Sequence, residues 1–121
     1  MITKKPIPIE IIVGEQLSSI EFVQDYLQLR FDGPTLTTFV WPSLKFCDRT
    51  LRFGELTYRD ELCGRIGRIV SNASLRAGEA LTVRFDDGVE ISVSLKAVDR
   101  VGPEAGNFRE SGDSQAPLLD F

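Results

Sequence analysis

The sequence contains no histidine among its 121 residues. That absence excludes Ser-His-Asp and Cys-His nucleophile pairs, histidine zinc sites and histidine acid–base catalysis. The sequence also lacks a C-x-x-C pair, a phosphate-binding glycine loop and a calcium-binding loop with a distal glutamate. We therefore predict no catalytic residues, no metal site and no cofactor. An enzyme would have to work with carboxylates, Tyr26, Tyr58 or a lone cysteine, and we expect the protein not to be one.

Cysteine is scarce, since Cys47 and Cys63 are the only two. No signal peptide is visible, because the apolar run at residues 11–13 is far too short for a signal core, and no stretch approaches transmembrane length. We therefore expect a reducing, cytoplasmic location with two free thiols. Cys63 is expected to be a buried apolar residue. Cys47 is expected to be inert, although Arg49 and Arg52 follow it closely.

An excess of positive charge is also missing, because the net charge is −4. Binding to nucleic acid or to an anionic membrane relies on clustered Lys and Arg, so neither is expected as a partner. An acidic protein is instead steered towards a basic protein. Residues 44–76 carry seven basic and four acidic side chains, whereas residues 77–121 carry four basic and nine acidic ones. The two segments either lie on opposite faces or form a dipolar binding surface.

The clearest pattern that is present is an alternation of apolar and polar residues over residues 81–95. The pair Asp87-Gly88 divides this segment, and such a pair is a strong hairpin signal. Asp86 and Asp87 are therefore interpreted as turn residues rather than as acid–base or calcium-binding groups. The alternation predicts one buried face on the hairpin, made of Leu81, Val83, Phe85, Val89, Ile91, Val93 and Leu95.

A second segment, residues 27–41, repeats this pattern around the turn Asp32-Gly33-Pro34. Both segments share the order Leu-x-(Leu/Val)-Arg-Phe-Asp followed by a glycine. The shared order and the shared turn indicate an internal duplication. The alternative is that any two amphipathic hairpins look alike.

A further strand precedes each hairpin. Residues 17–23 come before the first, and residues 66–70 come before the second, across a loop rich in turn-forming residues at 71–78. We therefore predict a mainly β fold of about six strands. Two pseudo-repeated three-stranded meanders, in units of about 14–41 and 64–95, would form a small barrel or a sandwich. Barrel closure or formation of a homodimer would protect the sheet edges.

Residues 57–63, between the two units, predict one short helix. Thr57 would be its N-cap and Gly64 would end it. A helix this short is not stable alone, so it must pack on a sheet through Leu56, Tyr58 and Leu62.

The end of the single domain is rich in acidic and turn-forming residues. We expect a mobile tail over about residues 109–121. Its last four residues, 118–121, are mostly apolar. They either dock as a final strand or remain an exposed peptide.

Three residues are candidates for contact with a protein partner: Arg30, Trp41 and Arg84. The two arginines occupy equivalent places in the two hairpins, two residues before Asp32 and Asp86. They either pair with these aspartates at the surface or form a pseudo-symmetric pair of partner-binding groups. Trp41 ends its strand, where it either packs against the sheet or anchors an interface, because Trp and Arg are enriched in hot spots.

Four motifs stand out along the chain, namely Gly14-x-x-Leu17, Leu27-x-Leu29-x-Phe31-x-Gly33, Leu62-x-Gly64 and Gly102-Pro103-Glu104-Ala105. In this arrangement the chain resembles an uncharacterised family of small bacterial β proteins. Some similar small acidic proteins serve as immunity partners of polymorphic toxins. The resemblance covers most of the chain and implies a bacterial, cytoplasmic protein, but it implies no chemistry, because its motifs are turn and core positions. Glu104, its only polar marker, is interpreted as a turn or capping residue.

The sequence therefore favours a non-enzymatic protein-interaction domain, with a toxin-neutralising immunity protein as its most specific form. Its partner would be another protein of basic charge. The alternative function is a small-ligand-binding β-barrel, which needs a concave apolar pocket lined by a few polar groups.

Overall fold

Two antiparallel sheets and one short helix form the fold in the computed structural model, which describes residues 8–110 and 118–121. Helix α1 spans Tyr58–Cys63, and 3-10 helices lie at Ile9–Ile12 and Ala97–Asp99. The strands are β1 (Ser19–Val23), β2 (Tyr26–Arg30), β3 (Thr35–Thr38), β4 (Ser43–Lys45), β5 (Thr50–Leu51), β6 (Val70–Arg76), β7 (Ala80–Phe85), β8 (Glu90–Ser94), β9 (Gly106–Arg109) and β10 (Leu118–Asp120). The mainly β prediction is confirmed, although the strands are more numerous than the six expected.

The strands divide equally between the two sheets. Sheet I has the order β1-β2-β3-β9-β10, and sheet II has the order β5-β4-β8-β7-β6. Three consecutive strands form a meander in each, β1 to β3 in sheet I and β6 to β8 in sheet II. Over residues 8–110 and 118–121 the strands close no barrel, because each sheet ends in two edge strands. The arrangement is consistent with a sandwich.

One apolar core joins the two sheets. The alternation predicted for the second hairpin holds, since Leu81, Val83, Ile91 and Val93 are all fully buried. The inner face of sheet I packs into the same cluster through Leu27, Leu29, Leu36 and Phe108. Full burial of one such side chain contributes roughly 1.5–3 kcal/mol, so the two inward faces hold the sheets together.

Strand β6 lies where the sequence predicts a loop, and the strand expected at residues 66–70 is wrong. Residues 64–67 form turns, and regular pairing with β7 begins only at Val70. Ala73 is buried, and the hydroxyl of Ser74 contacts that of Thr82 on the neighbouring strand at 2.8 Å. Small polar residues suit the solvent face of an edge strand, so their turn-forming character misleads the prediction.

Helix α1 begins and ends where the sequence predicts, but two of its expected roles are wrong. Thr57 adopts a left-handed conformation with φ 68° and its side chain caps nothing. Leu56 is 91% exposed, so only Tyr58 and Leu62 pack the helix on the core. Cys63, expected to be buried, is exposed.

A largely buried ion pair fixes the segment after helix α1 to the β7–β8 turn. Arg65 is 7% exposed, and its Nη1 donates to both carboxylate oxygens of Asp87 at 2.7 and 2.8 Å. Asp87 also accepts a hydrogen bond from the Val89 backbone N–H at 3.2 Å. Burial opposes ionisation of Asp87, but the hydrogen bonds from Arg65 and Val89, with the charges of Arg65 and Arg68, outweigh it and lower the pKa of Asp87. Asp87 is thus a turn residue, as predicted, that also carries a structural charge.

Replacing this carboxylate, in Asp87→Asn, should lower the free energy of unfolding at neutral pH by about 3 kcal/mol, because Arg65 is left buried without its counter-charge. The lowered pKa adds a pH dependence. The stabilisation is present above the ordinary carboxyl pKa and is lost as the pH falls through the lower pKa of the folded state. Urea unfolding at several pH values should therefore show the difference between wild type and variant shrinking in acid. A difference that is constant with pH would contradict the assignment.

Strand β10 extends sheet I by pairing with β9, with Leu119 opposite Phe108. Of the two alternatives for residues 118–121, the structure shows the docked strand, whereas residues 111–117 of the predicted tail lie outside the described residues.

Position 106 on β9 requires a glycine, because the neighbouring strand β3 and the Phe121 ring approach its backbone closely. A Cβ atom there would lie 2.2 Å from the Thr37 carbonyl oxygen and 2.8 Å from Cζ of Phe121. No side chain fits at this position without a shift of the backbone.

The substitution Gly106→Ala should lower the free energy of unfolding by about 1–3 kcal/mol, because strands β3 and β9 have to separate locally. Gly102→Ala is the matched control, since a Cβ atom at Gly102 meets nothing within 4 Å. The control should change stability by less than about 0.5 kcal/mol. Denaturant unfolding measures the free energy of unfolding of both variants. Equal losses of stability in Gly106→Ala and Gly102→Ala would contradict the claim that close approach at Gly106 excludes a side chain.

Candidate functional site

A groove lies on the outer face of each sheet. The groove on sheet II has a volume of about 750 Å³, and the groove on sheet I has a volume of about 400 Å³. We call the first the aromatic groove, for Trp41 and Phe53 in its wall, and the second the arginine groove, for Arg30 and Arg109 in its wall. Both arise because the inward positions of the strands are apolar, which leaves the alternate positions to polar side chains.

Small hydroxyl side chains form the floor of the aromatic groove. Ser43 of β4 lies opposite Ser92 of β8, and its hydroxyl donates to the Ser92 carbonyl at 3.5 Å. Ser94, two residues further along β8, donates to the carboxylate of Asp99. The rim carries three cationic and two anionic side chains: Lys45, Arg52, Lys96, Glu79 and Asp99. The groove is therefore polar at its base and close to neutral at its rim.

An aromatic stack forms one wall of this groove. The rings of Trp41 and Phe53 lie 4.4 Å apart at an interplanar angle of 17°. Trp41 also faces Phe22 of β1, with ring centroids 6.4 Å apart. Phe53 remains 45% exposed, and the guanidinium of Arg59 lies 5.8 Å from its ring centroid. The wall thus presents exposed aromatic surface with a cation beside it.

The buried Tyr58 of helix α1 holds this wall in place. Its hydroxyl donates to the carbonyl of Pro42, and its ring meets Phe53 edge to face, with centroids 5.9 Å apart. Burial raises the pKa of Tyr58, an effect larger than the opposing charge of Arg59. Tyr58 is therefore a neutral donor with a structural role.

The arginine groove is built from three rows, two of them across β2, β3 and β9 and the third on β2 and the residue that follows β3. In the middle row, Gln28 lies opposite Thr37, which lies opposite Asn107. In one outer row, Arg30 lies opposite Thr35, which lies opposite Arg109.

The third row of the arginine groove is aromatic. Tyr26 and Phe39 meet edge to face, with centroids 6.3 Å apart and an interplanar angle of 77°. The groove therefore changes from aromatic, through neutral polar, to cationic along the strands.

The three partner-contact candidates from the sequence are not brought together. Arg30 lines the arginine groove on sheet I, whereas Trp41 lines the aromatic groove on sheet II. Arg84 lies on the outer face of sheet II, outside both grooves, with its Nη2 3.6 Å from Glu90. The surface pairing expected with Asp32 and Asp86 is wrong, because Arg30 contacts Glu21 at 3.0 Å instead.

Sequence reasoning missed Phe53, Arg52, Asn107 and Arg109 as groove residues. Phe53 and Arg52 lie where the alternation fades, so no pattern marks them. Asn107 and Arg109 flank the buried Phe108 in a short alternation, a signal that could have placed both on one outer face.

Neither groove offers an evident catalytic group. Within residues 8–110 and 118–121, no three His, Cys, Asp or Glu side chains are grouped so that they could hold a metal ion. Both cysteines are free thiols at the surface. The displaced pKa values of Asp87 and Tyr58 have the structural causes given above. Both grooves present hydrogen-bonding and aromatic side chains that a ligand or a partner could contact.

Comparison of the chain with protein-family models, with curated proteins and with solved structures finds no match in any of the three. In the part of the chain that the structure describes, no helix has the length and the apolar character needed to cross a membrane.

Proposed function

We propose that this chain is a non-enzymatic protein-interaction domain that holds its partner in the aromatic groove. The observation that carries the proposal is the stack of Trp41 on Phe53, which leaves Phe53 45% exposed at the groove wall. A rigid aromatic pair with one open face offers a large contact area without further ordering of side chains.

The surroundings of this stack have the composition of an interface hot spot. Trp, Tyr and Arg dominate measured hot spots, and a less important ring of contacts excludes water around them. Here Arg52 lines the groove beside Phe53, and the guanidinium of Arg59 approaches the Phe53 ring. The serine floor supplies hydroxyl groups for hydrogen bonds to a partner.

Charge supports a basic protein as the partner. The net charge of −4 steers such a protein towards the domain over long range. The rim of the groove is close to neutral, so close contact depends on shape and aromatic area rather than on charge. The net charge of the domain thus guides the approach of the partner, whereas the aromatic groove determines how closely the partner fits.

The most specific form of the proposal is a toxin-neutralising immunity protein of the bacterial cytoplasm. Its support is the resemblance to small acidic bacterial β proteins, some of which are immunity partners of toxins, together with a preformed binding surface that lacks an evident catalytic group. In that case the captured partner would be an enzyme, and the domain would abolish its activity at one equivalent.

The finer account of the fold is a sandwich of two pseudo-repeated meanders. It is supported by the equivalent places of Arg30, on the second strand of one meander, and Arg84, on the second strand of the other. A sandwich leaves four edge strands open, so a homodimer formed by edge pairing is the competing use of the surface.

Affinity capture from the native host, followed by quantitative binding, tests the proposal. Phe53→Ala and Arg52→Ala should each weaken partner binding at least about tenfold, because hot-spot side chains carry most of the binding energy. The Arg52 side chain can be removed safely, because its backbone N–H, not its guanidinium, bonds to Glu55 at 2.7 Å.

Val101→Ala and Arg84→Ala are the matched controls, since Val101 is 87% exposed and both residues lie outside the groove. They should bind as the wild type does. The proposal fails if no protein is retained at any salt concentration, if sedimentation shows only a self-associated dimer, or if the groove variants and the controls bind alike.

A further inference from the structure

We propose that a cavity between the edges of the two sheets binds a small monocarboxylic acid with an apolar tail. The cavity has a volume of about 380 Å³, and we call it the edge cavity. None of its described lining residues belongs to the aromatic groove, so this site is independent of the protein-interaction function. The wall includes Leu75, Leu95, Ala97, Arg100, Leu119 and Phe121.

The edge cavity lies where an edge strand of each sheet contributes to one wall. Strand β6 is an edge strand of sheet II, and β10 is an edge strand of sheet I. Leu75 of β6 lies opposite the buried Leu81, and Leu119 of β10 lies opposite the buried Phe108. Opposed residues of antiparallel strands point to the same face, so Leu75 and Leu119 both point towards the core. Both are nevertheless only half-buried, because side chains do not fill the space between the sheets at this edge.

The wall of the edge cavity is ordered by backbone hydrogen bonds. The carbonyl oxygen of Phe121 accepts from the N–H groups of Ala105 and Gly106, at 2.6 and 3.2 Å. The Phe121 ring packs directly on Gly106, whose missing Cβ atom would lie 2.8 Å from Cζ. On the other side of the cavity, the N–H of Leu95 donates to the carbonyl of Glu79 at 2.9 Å. A ligand therefore binds a preformed wall and pays little for ordering it.

The size and lining of the edge cavity determine the tail of the ligand. Small-molecule sites occupy about 300–1,000 Å³ and are lined mostly by apolar side chains. Three leucines and one phenylalanine supply that lining here. Because an apolar cavity of about 150 Å³ holds benzene, the edge cavity has room for an alkyl chain of roughly eight carbons.

Arg100 determines the head group of the ligand. This half-buried side chain donates from Nη1 to the carbonyl of Pro103 at 2.9 Å, whereas its Nε is buried and has no acceptor. Within residues 8–110 and 118–121, no carboxylate forms an ion pair with Arg100. A shielded donor without an acceptor and a cation without a counter-charge are both costly, so a ligand that supplies an anion here is stabilised.

The free edge of this guanidinium fits a carboxylate. The N–H groups on Nε and Nη2 point the same way, and the Pro103 contact uses Nη1 instead. A carboxylate accepts two parallel hydrogen bonds from such an edge. Asp120 also lines the cavity, but it alternates with Leu119 and Phe121 and is exposed, so its carboxylate lies on the outer face of β10. An apolar cavity with one cation in its wall thus selects an amphipathic anion.

Titration of the full chain with octanoate, followed by the backbone amide resonances, tests the site. The comparison ligands are octanamide, octylamine and hexanoate. Saturable shifts are expected over residues 75–78, 95–100 and 119–121. Octanoate should bind at least about tenfold more tightly than octanamide, because the amide lacks the charge that pairs with Arg100. It should also bind roughly tenfold more tightly than hexanoate, which buries two fewer methylene groups.

Two variants and one control separate the head-group contact from the tail contact. Arg100→Gln should reduce the affinity for octanoate to that for octanamide. Leu75→Phe should fill the cavity and weaken both ligands at least about tenfold. Arg76→Gln is the matched control, since Arg76 follows Leu75 on β6, points outward and contacts Glu79 at 3.6 Å; it should bind as the wild type does. Thermal unfolding checks that every variant is folded.

Four results would each overturn the proposal: no saturable shift around the edge cavity, equal binding of octanoate and octanamide, tighter binding of octylamine, or unchanged binding by Leu75→Phe. The ligand comparisons use the wild-type chain, so they remain decisive if a variant does not fold. None of these results bears on the partner bound at the aromatic groove, which the variants of Phe53 and Arg52 test.

Discussion

The hydroxyl of Tyr58 donates to the carbonyl of Pro42, and this buried bond joins helix α1 to the segment where the chain passes from sheet I to sheet II. Loss of such a donor leaves a buried carbonyl unpaired, at a cost of about 1–3 kcal/mol. The Tyr58 ring supports Phe53, Phe53 stacks on Trp41, and Trp41 lies against Phe22. One buried residue thereby connects a helix, a loop, the crossing segment and strand β1, and it fixes the wall of the larger groove.

The core and the grooves divide the two faces of each strand between them. The inward positions of both meanders carry the same kind of residue, because one apolar core requires them to. The outward positions are free of that requirement and differ between the meanders, since Arg30 lines a groove and Arg84 contacts Glu90. The residue types that the two meanders share therefore follow from packing in one core, whereas their outward positions differ.

The pattern of residues along one segment predicts the secondary structure of that segment well, but it does not predict which distant strands lie beside it. The alternation around Asp87-Gly88 predicts β7 and β8, and the segment from Thr57 to Gly64 predicts the bounds of α1, because each is decided by adjacent residues. The Ser and Asn residues of β6 suggest a loop, since composition cannot show that the strand lies at a sheet edge. Both grooves depend on pairs such as β3 with β9 and β4 with β8, which are far apart in the chain. Register between such strands is set by the whole core, so the sequence predicts Arg30 and Trp41 as contact residues but does not place them in their grooves.

The central claim is that partner binding takes place at the Trp41–Phe53 wall. Trp41 is the only tryptophan in the chain, so labelling with 5-fluorotryptophan places a single ¹⁹F resonance in the groove. When the unlabelled partner is added in saturating amount, we expect this resonance to shift and broaden as the wall is covered. A resonance that stays unchanged while sedimentation shows the complex to be fully formed would contradict the claim.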